Sequence, residues 1–171
     1  MKRVLAFAPL IALALLAALF VGYSLKRNPH VQPAALVGRP VPDLSLPRLE
    51  TGQAVPIRQA APGPLLINFY ASWCAPCELE APALMRLRTQ GVTIIGVGYK
   101  DAPDNTLAFL GRVGDPFAVH LLDRDGRAGL EFGVTGVPES YVVDAAGKII
   151  AKYTGELTPD EELAIIAATR R

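Results

Sequence analysis

The sequence predicts an α/β domain, a mixed β-sheet with helices on both faces, preceded by an N-terminal transmembrane helix. Three observations carry this expectation. Apolar runs at Leu65–Tyr70 and Val92–Val97 are each followed by a stretch with helical spacing, the βαβα order of a parallel sheet. The last third instead holds two strands around Ala145-Ala146-Gly147 and then one helix, which is antiparallel β–β–α. Val4 to Leu25 carries no charge and is long enough, as a helix, to cross a bilayer core.

The N-terminal run is bracketed by Lys2-Arg3 and Lys26-Arg27. It exceeds the apolar core of a secretory signal, and Phe20-Val21-Gly22-Tyr23-Ser24 is a poor cleavage site. An uncleaved anchor over residues 1–27 is therefore expected, with residues 28–35, which include Pro29 and Pro33, as an extended tether. Positive pairs at both ends leave the orientation open by charge alone. A short cytoplasmic tail with an exported domain is the usual outcome. Residues 36–171 form the folded domain. The formal net charge is +1, so nothing points to nucleic acid.

Within the domain, Leu36–Asp43 is too proline-rich for a central strand. Leu44–Leu46 and Ala54–Ile57 flank the turn Glu50–Gln53, which predicts a short edge hairpin. Leu65–Tyr70 is the central strand, and a helix begins near Cys74. Pro76 suits its first turn, Pro82 should kink it, and Gly91 stops it. After the strand Val92–Val97, Asp104 is expected to cap a helix that ends near Gly111–Gly114. Ala118–Leu122 reads as a short strand, Asp123–Gly126 as a turn, and Ala128–Phe132 as one helical turn. Ser140–Asp144 and Lys148–Tyr153 make the hairpin. Thr158-Pro159-Asp160-Glu161 is a capping box that opens the last helix.

The chemistry lies in Trp73-Cys74-Ala75-Pro76-Cys77, which holds the only 2 cysteines. A cysteine at a helix N-terminus is favoured as thiolate, and a second thiol one turn on can resolve a mixed disulfide. Three other readings compete. The two cysteines could simply pair as a structural disulfide. A closed zinc site would need His30 and His120, both distant in sequence, and haem attachment would need histidine where Glu78 stands. A redox dithiol fits best. Cys74 is then the attacking thiol and Cys77 the resolving one. Glu80 lies one turn beyond Cys77, on the same helix face. Glu78, Lys148 and Lys152 read as solvated. Trp73 reads as a lid beside the disulfide rather than a buried core aromatic. No metal and no cofactor beyond the Cys74–Cys77 disulfide is expected.

These residues resemble the thioredoxin superfamily, and more closely the membrane-anchored thiol:disulfide interchange proteins of cytochrome c maturation, the CcmG/DsbE type. The resemblance rests on Leu36-Val37-Gly38-Arg39-Pro40, Asn68–Cys77 with Glu80 following, Tyr99-Lys100-Asp101, and Gly133-Val134-Thr135-Gly136-Val137-Pro138-Glu139. Tyr70 stands where the family often has tryptophan, Thr135 where it often has an aromatic, and Asn68 takes the place of the buried aspartate of ordinary thioredoxins. Glu80 or Glu139 then becomes the candidate proton acceptor. The resemblance implies a thioredoxin-like fold and a cis peptide before Pro138, which leaves the Val137 backbone free to pair with a substrate strand. It also implies an inner-membrane protein with its domain in the periplasm. That domain would keep the haem-binding cysteines of apocytochrome c reduced, directly or through another maturation protein, with electrons from a transmembrane thiol carrier. A general oxidant, a general reductase of exported proteins and a non-catalytic thiol module are the alternatives.

One electrostatic expectation concerns direction. Glu78, Glu80 and Glu139 place negative charge near the dithiol, which disfavours the thiolate and makes the pair a reductant. On that argument Glu80→Gln or Glu139→Gln shifts the couple toward oxidant.

Overall fold

The computed structural model describes residues 12–13, 15–19, 22 and 36–170. The chain divides into two units, Met1–Pro33 and Ala34–Arg171. In the first, the described residues are helical, and Leu13, Leu15, Leu16 and Leu19 are exposed. Among the described residues no helix is long and apolar enough to cross a membrane. Most of the expected anchor, and all of the tether at 28–35, lies outside the described residues.

The second unit is built on a five-stranded sheet. In chain order its elements are β1 (Ser45–Pro47), β2 (Ala54–Pro56), β3 (Leu65–Tyr70), α1 (Ala75–Thr89), β4 (Ile94–Tyr99), α2 (Pro103–Val113), β5 (Val119–Asp123), α3 (Arg127–Phe132), β6 (Glu139–Val143), β7 (Ile149–Thr154) and α4 (Pro159–Thr169). The sheet order is β5-β4-β3-β6-β7, and β1 and β2 form a separate antiparallel pair. β3, β4 and β5 run parallel, whereas β6 and β7 are antiparallel to their neighbours. The mixed sheet therefore follows the split between the early βαβα half and the late hairpin.

Every residue of β3 is buried, which is why Leu65–Tyr70 shows no polar alternation. Its two faces feed two cores. Leu65, Ile67 and Phe69 join Val97, Leu121, Phe132 and Tyr141 on one side. Leu66 and Tyr70 join Cys77, Leu84, Leu87, Phe109 and Ile165 on the other. The first core is covered by α3 and the β1–β2 pair, the second by α1, α2 and α4. Helices thus lie on both faces.

Several boundaries differ from expectation. β4 starts at Ile94, because Val92 and Thr93 lead out of the turn after α1. Asp104 does not cap α2. The helix opens one residue earlier with Pro103 in its first turn, and the Ala102 cap makes no side-chain bond. Asp104 instead lies in the first turn, where its charge suits the dipole. The end of α2 is as expected: it stops at Gly114, whose φ of 92° only glycine adopts readily. α1 passes through Pro82 as one helix, although Pro82 donates no bond to the Glu78 carbonyl. The capping box is as the sequence predicts, with Thr158 accepting from Glu161 N–H and the Glu161 carboxylate reaching back to Thr158 N–H.

Candidate active site

The site forms at the C-terminal end of β3, where the chain turns into α1. Cys74 is the N-cap of α1, and its Sγ accepts from the Cys77 N–H at 3.1 Å. The two cysteines form a disulfide, with their Cα atoms 5.3 Å apart. Both are buried in this form. Across from Cys74, its Sγ lies 3.4 Å from the Val137 carbonyl, and the Val137–Pro138 peptide is cis. In the disulfide there is no thiol proton to share with that carbonyl; on reduction the Cys74 thiol can donate to it.

Trp73 is 60% exposed and donates from Nε1 to the Lys100 carbonyl at 3.3 Å. It stands on the surface beside the disulfide rather than in the core. Asp101 fixes the turn just before it. Its carboxylate accepts from the Ser72 N–H at 2.6 Å, the Ser72 hydroxyl at 2.9 Å and the Ala102 N–H at 2.9 Å. One buried acid therefore ties the Cys74 turn to the start of α2. The sequence marks Tyr99-Lys100-Asp101 only through resemblance, since nothing local says which turn Asp101 will grip.

Glu80 is 2% exposed, so it is not a solvated helix carboxylate. Its Oε2 accepts from Asn68 Nδ2 at 2.9 Å, and the same nitrogen lies 3.0 Å from Ser140 Oγ. Asn68, the Glu80 partner, and Cys77 line one cavity of about 10 Å³. Burial pushes the Glu80 carboxyl up from an ordinary 4.5 to about 8, while the Asn68 hydrogen bond opposes the rise. It is therefore mostly protonated at neutral pH.

Glu139 stands elsewhere. In the β3–β6 register it lies opposite Phe69, and Ser140 lies opposite Asn68. The pleat thus puts Glu139 on the other sheet face from Glu80. It is fully buried and accepts from the Thr135 N–H and hydroxyl. Lys152 Nζ lies 2.9 Å from its Oε2. Lys152, read from sequence as a solvated strand residue, has a side chain only 9% exposed, because its partner is a buried anion. A carboxylate inside a buried strand requires a cation nearby, and Lys152 is the basic residue on β7 that the register brings to it. Glu78 is half-exposed and pairs with Arg112 at 3.0 Å.

These placements correct the electrostatic expectation. The three acids are not three free negative charges at the dithiol: Glu78 and Glu139 are paired with cations, and Glu80 is largely neutral at pH 7. What the structure places around the dithiol is instead the burial of both sulfurs and, one turn beyond Cys77, a buried carboxyl that holds a proton.

A dithiol–disulfide at a helix N-terminus, facing a cis-proline loop on this mixed sheet, defines a thioredoxin-fold thiol:disulfide oxidoreductase. Residues 36–168 match the Redoxin family model, and the chain belongs to that family. It is 40% identical over 167 residues to the thiol:disulfide interchange protein HelX of Rhodobacter capsulatus, covering 94% of this chain and 92% of that one. It is 43% identical over 149 residues to the interchange protein DsbE of Allochromatium vinosum, covering 86% and 81%. The Escherichia coli K12 DsbE is 36% identical over 166 residues, covering 93% and 89%. Among solved structures, a thio-disulfide isomerase from Thermus thermophilus superposes with a TM-score of 0.64 at 30% identity, covering 77% of this chain and 96% of that one.

Proposed function

We propose that this oxidoreductase works as a membrane-anchored reductant on the periplasmic side of a bacterial inner membrane. Its client is the haem-binding cysteine pair of apocytochrome c, reached directly or through another maturation thiol protein. A transmembrane thiol carrier re-reduces it. The length and kinship of the HelX and DsbE relatives support the assignment. The observation that carries the direction is the burial of Cys74 and Cys77 with Glu80, a carboxyl that titrates near 8.

In the reduced protein the Cys74 thiolate attacks one sulfur of the client disulfide. A mixed disulfide forms, and the other client sulfur leaves as a thiolate. Cys77 must then lose its proton and attack Cys74 Sγ, which releases the second client thiolate and leaves the Cys74–Cys77 disulfide seen here. Two electrons pass to the client. The buried Cys77 proton needs an acceptor of similar affinity. Glu80, pushed up to about 8, holds a proton far more tightly than an exposed carboxylate, which narrows the gap to the thiol it must accept from. The cis-proline loop presents the Val137 backbone to an extended client strand, as an added β-strand would pair, and Trp73 flanks it.

Equilibration with glutathione and with a stronger dithiol measures the direction, and a potential close to that of strong periplasmic oxidants overturns the reductant reading. A Cys77→Ser variant should trap the client as a mixed disulfide for mass spectrometry. Protease treatment of intact and opened inner-membrane vesicles tests the topology.

A further inference from the structure

The loop facing Cys74 runs from Gly133 to Pro138, and a partly buried cation holds its near end. Lys152 Nζ donates to the Gly133 carbonyl at 3.0 Å, lies 2.9 Å from Glu139 Oε2, and sits 5.3 Å from the centre of the Tyr141 ring. The opposite carboxylate oxygen, Oε1, accepts from the Thr135 N–H at 3.0 Å and hydroxyl at 2.7 Å. The Tyr141 hydroxyl lies 2.9 Å from both Glu139 Oε2 and the Phe132 carbonyl. The far end of the loop is tied separately, with Gly155 N–H donating to the Pro138 carbonyl at 2.9 Å.

Desolvating two charges is expensive, and an apolar pair of similar volume often stabilises a core as well or better. Stability alone therefore does not account for a lysine and a glutamate here. Their partners do: the bonds of this pair end on Gly133 and Thr135, backbone groups of a loop with no strand of its own to satisfy them. The result is a loop fixed at both ends, with the Val137 carbonyl 3.4 Å from Cys74 Sγ.

We propose that Lys152 is a positioning residue for client recognition: paired with Glu139, it holds the 133–138 loop so that the Val137 backbone is presented beside Cys74. This deepens the proposed function and rests on its reading that the loop docks the client. Removing the cation frees the loop, so docking weakens while the sulfur chemistry, set by the α1 side of the site, continues.

The test uses the full-length reduced protein and a synthetic peptide with a disulfide between two cysteines two residues apart. Trp73, the only tryptophan in the chain, reports oxidation of the dithiol by fluorescence. Varying the peptide gives a half-saturating concentration and a limiting rate. Lys152→Met is expected to raise the first about ten-fold and change the second less than about two-fold, and Lys152→Arg to recover most of the loss. Pro138→Ala tests the docking reading by itself. If Pro138→Ala raises half-saturation and Lys152→Met does not, the role of Lys152 is overturned and docking stands. If neither changes it, the docking reading falls and takes the proposal with it. A lower limiting rate at unchanged half-saturation also overturns the proposal. Should Lys152→Met fail to fold, the Lys152→Met/Glu139→Gln double variant removes both charges. The same rise then supports the proposal, and wild-type saturation overturns it.

Discussion

Replacing Glu80 by Gln should abolish a pH dependence of stability that the buried carboxyl imposes. In the folded oxidised protein this group titrates near 8, against 4.5 when exposed in the unfolded chain. Between those values the folded chain holds a proton that the unfolded chain has released. Stability from this group is therefore complete below 4.5, falls as pH rises, and is gone above about 8. The slope is about 1.4 kcal/mol per pH unit in the middle of the window. From about pH 5.5 to about pH 7.5, wild type should lose ~2.5 kcal/mol that the Glu80→Gln variant, neutral at this position throughout, does not lose. All other titrating groups are common to both proteins, so the difference between them isolates Glu80. Urea unfolding of the oxidised proteins, followed by circular dichroism at the two pH values, measures it. If the difference stays constant within about 0.5 kcal/mol, Glu80 is ionised throughout and cannot be the matched acceptor for Cys77. The same substitution should slow release of the second client thiol, with the largest effect at neutral to mildly alkaline pH, where wild-type Glu80 is partly ionised.

Three further outcomes follow from other parts of the structure. In the reduced protein, limiting iodoacetamide should label Cys74 before Cys77, because Cys74 caps α1 while Cys77 faces the cavity shared with Asn68 and Leu84; mass spectrometry reads this, and equal labelling removes the assignment of attacker and resolver. Asp101→Ala strips the partners from Ser72 and Ala102 and should cost about 2–3 kcal/mol in urea unfolding, with Asp101→Asn losing less. Gly96→Ala places a Cβ 2.6 Å from the Phe117 ring, which stacks on Tyr70 at 4.6 Å; it should destabilise by about 1–3 kcal/mol, and a Gly96→Ala/Phe117→Leu pair should lose less than the sum of the two single changes.

Local chemistry makes part of this molecule readable in advance. The Cys74 cap, Pro76 in the first helical turn, the Thr158–Glu161 capping box and the hairpin around Gly147 are each decided within a few residues, so the sequence alone determined them. The alternation of apolar runs with helical spacing likewise set the mixed sheet, because the period of a segment decides which faces it can bury. Asp104 has the chemistry of a cap, but a proline one residue earlier starts the helix first.

Charge and burial were decided elsewhere. Glu80 becomes a proton-holding acid because packing takes it out of water, against the pull of its hydrogen bond from Asn68 on β3. Whether Glu139 joins Glu80 depends on which side of the pleat the β3–β6 register puts it, and one residue of slip would reverse the answer. Lys152 is drawn in from solvent because β7 brings it to that acid, and Gly96 is required because Phe117, beyond α2, crosses β4 there. The sequence by itself determined where a redox dithiol would sit and what kind of sheet would carry it. The tertiary structure decided which of its acids hold protons and which hold the loop, since ionisation and register depend on groups far along the chain that only packing brings together.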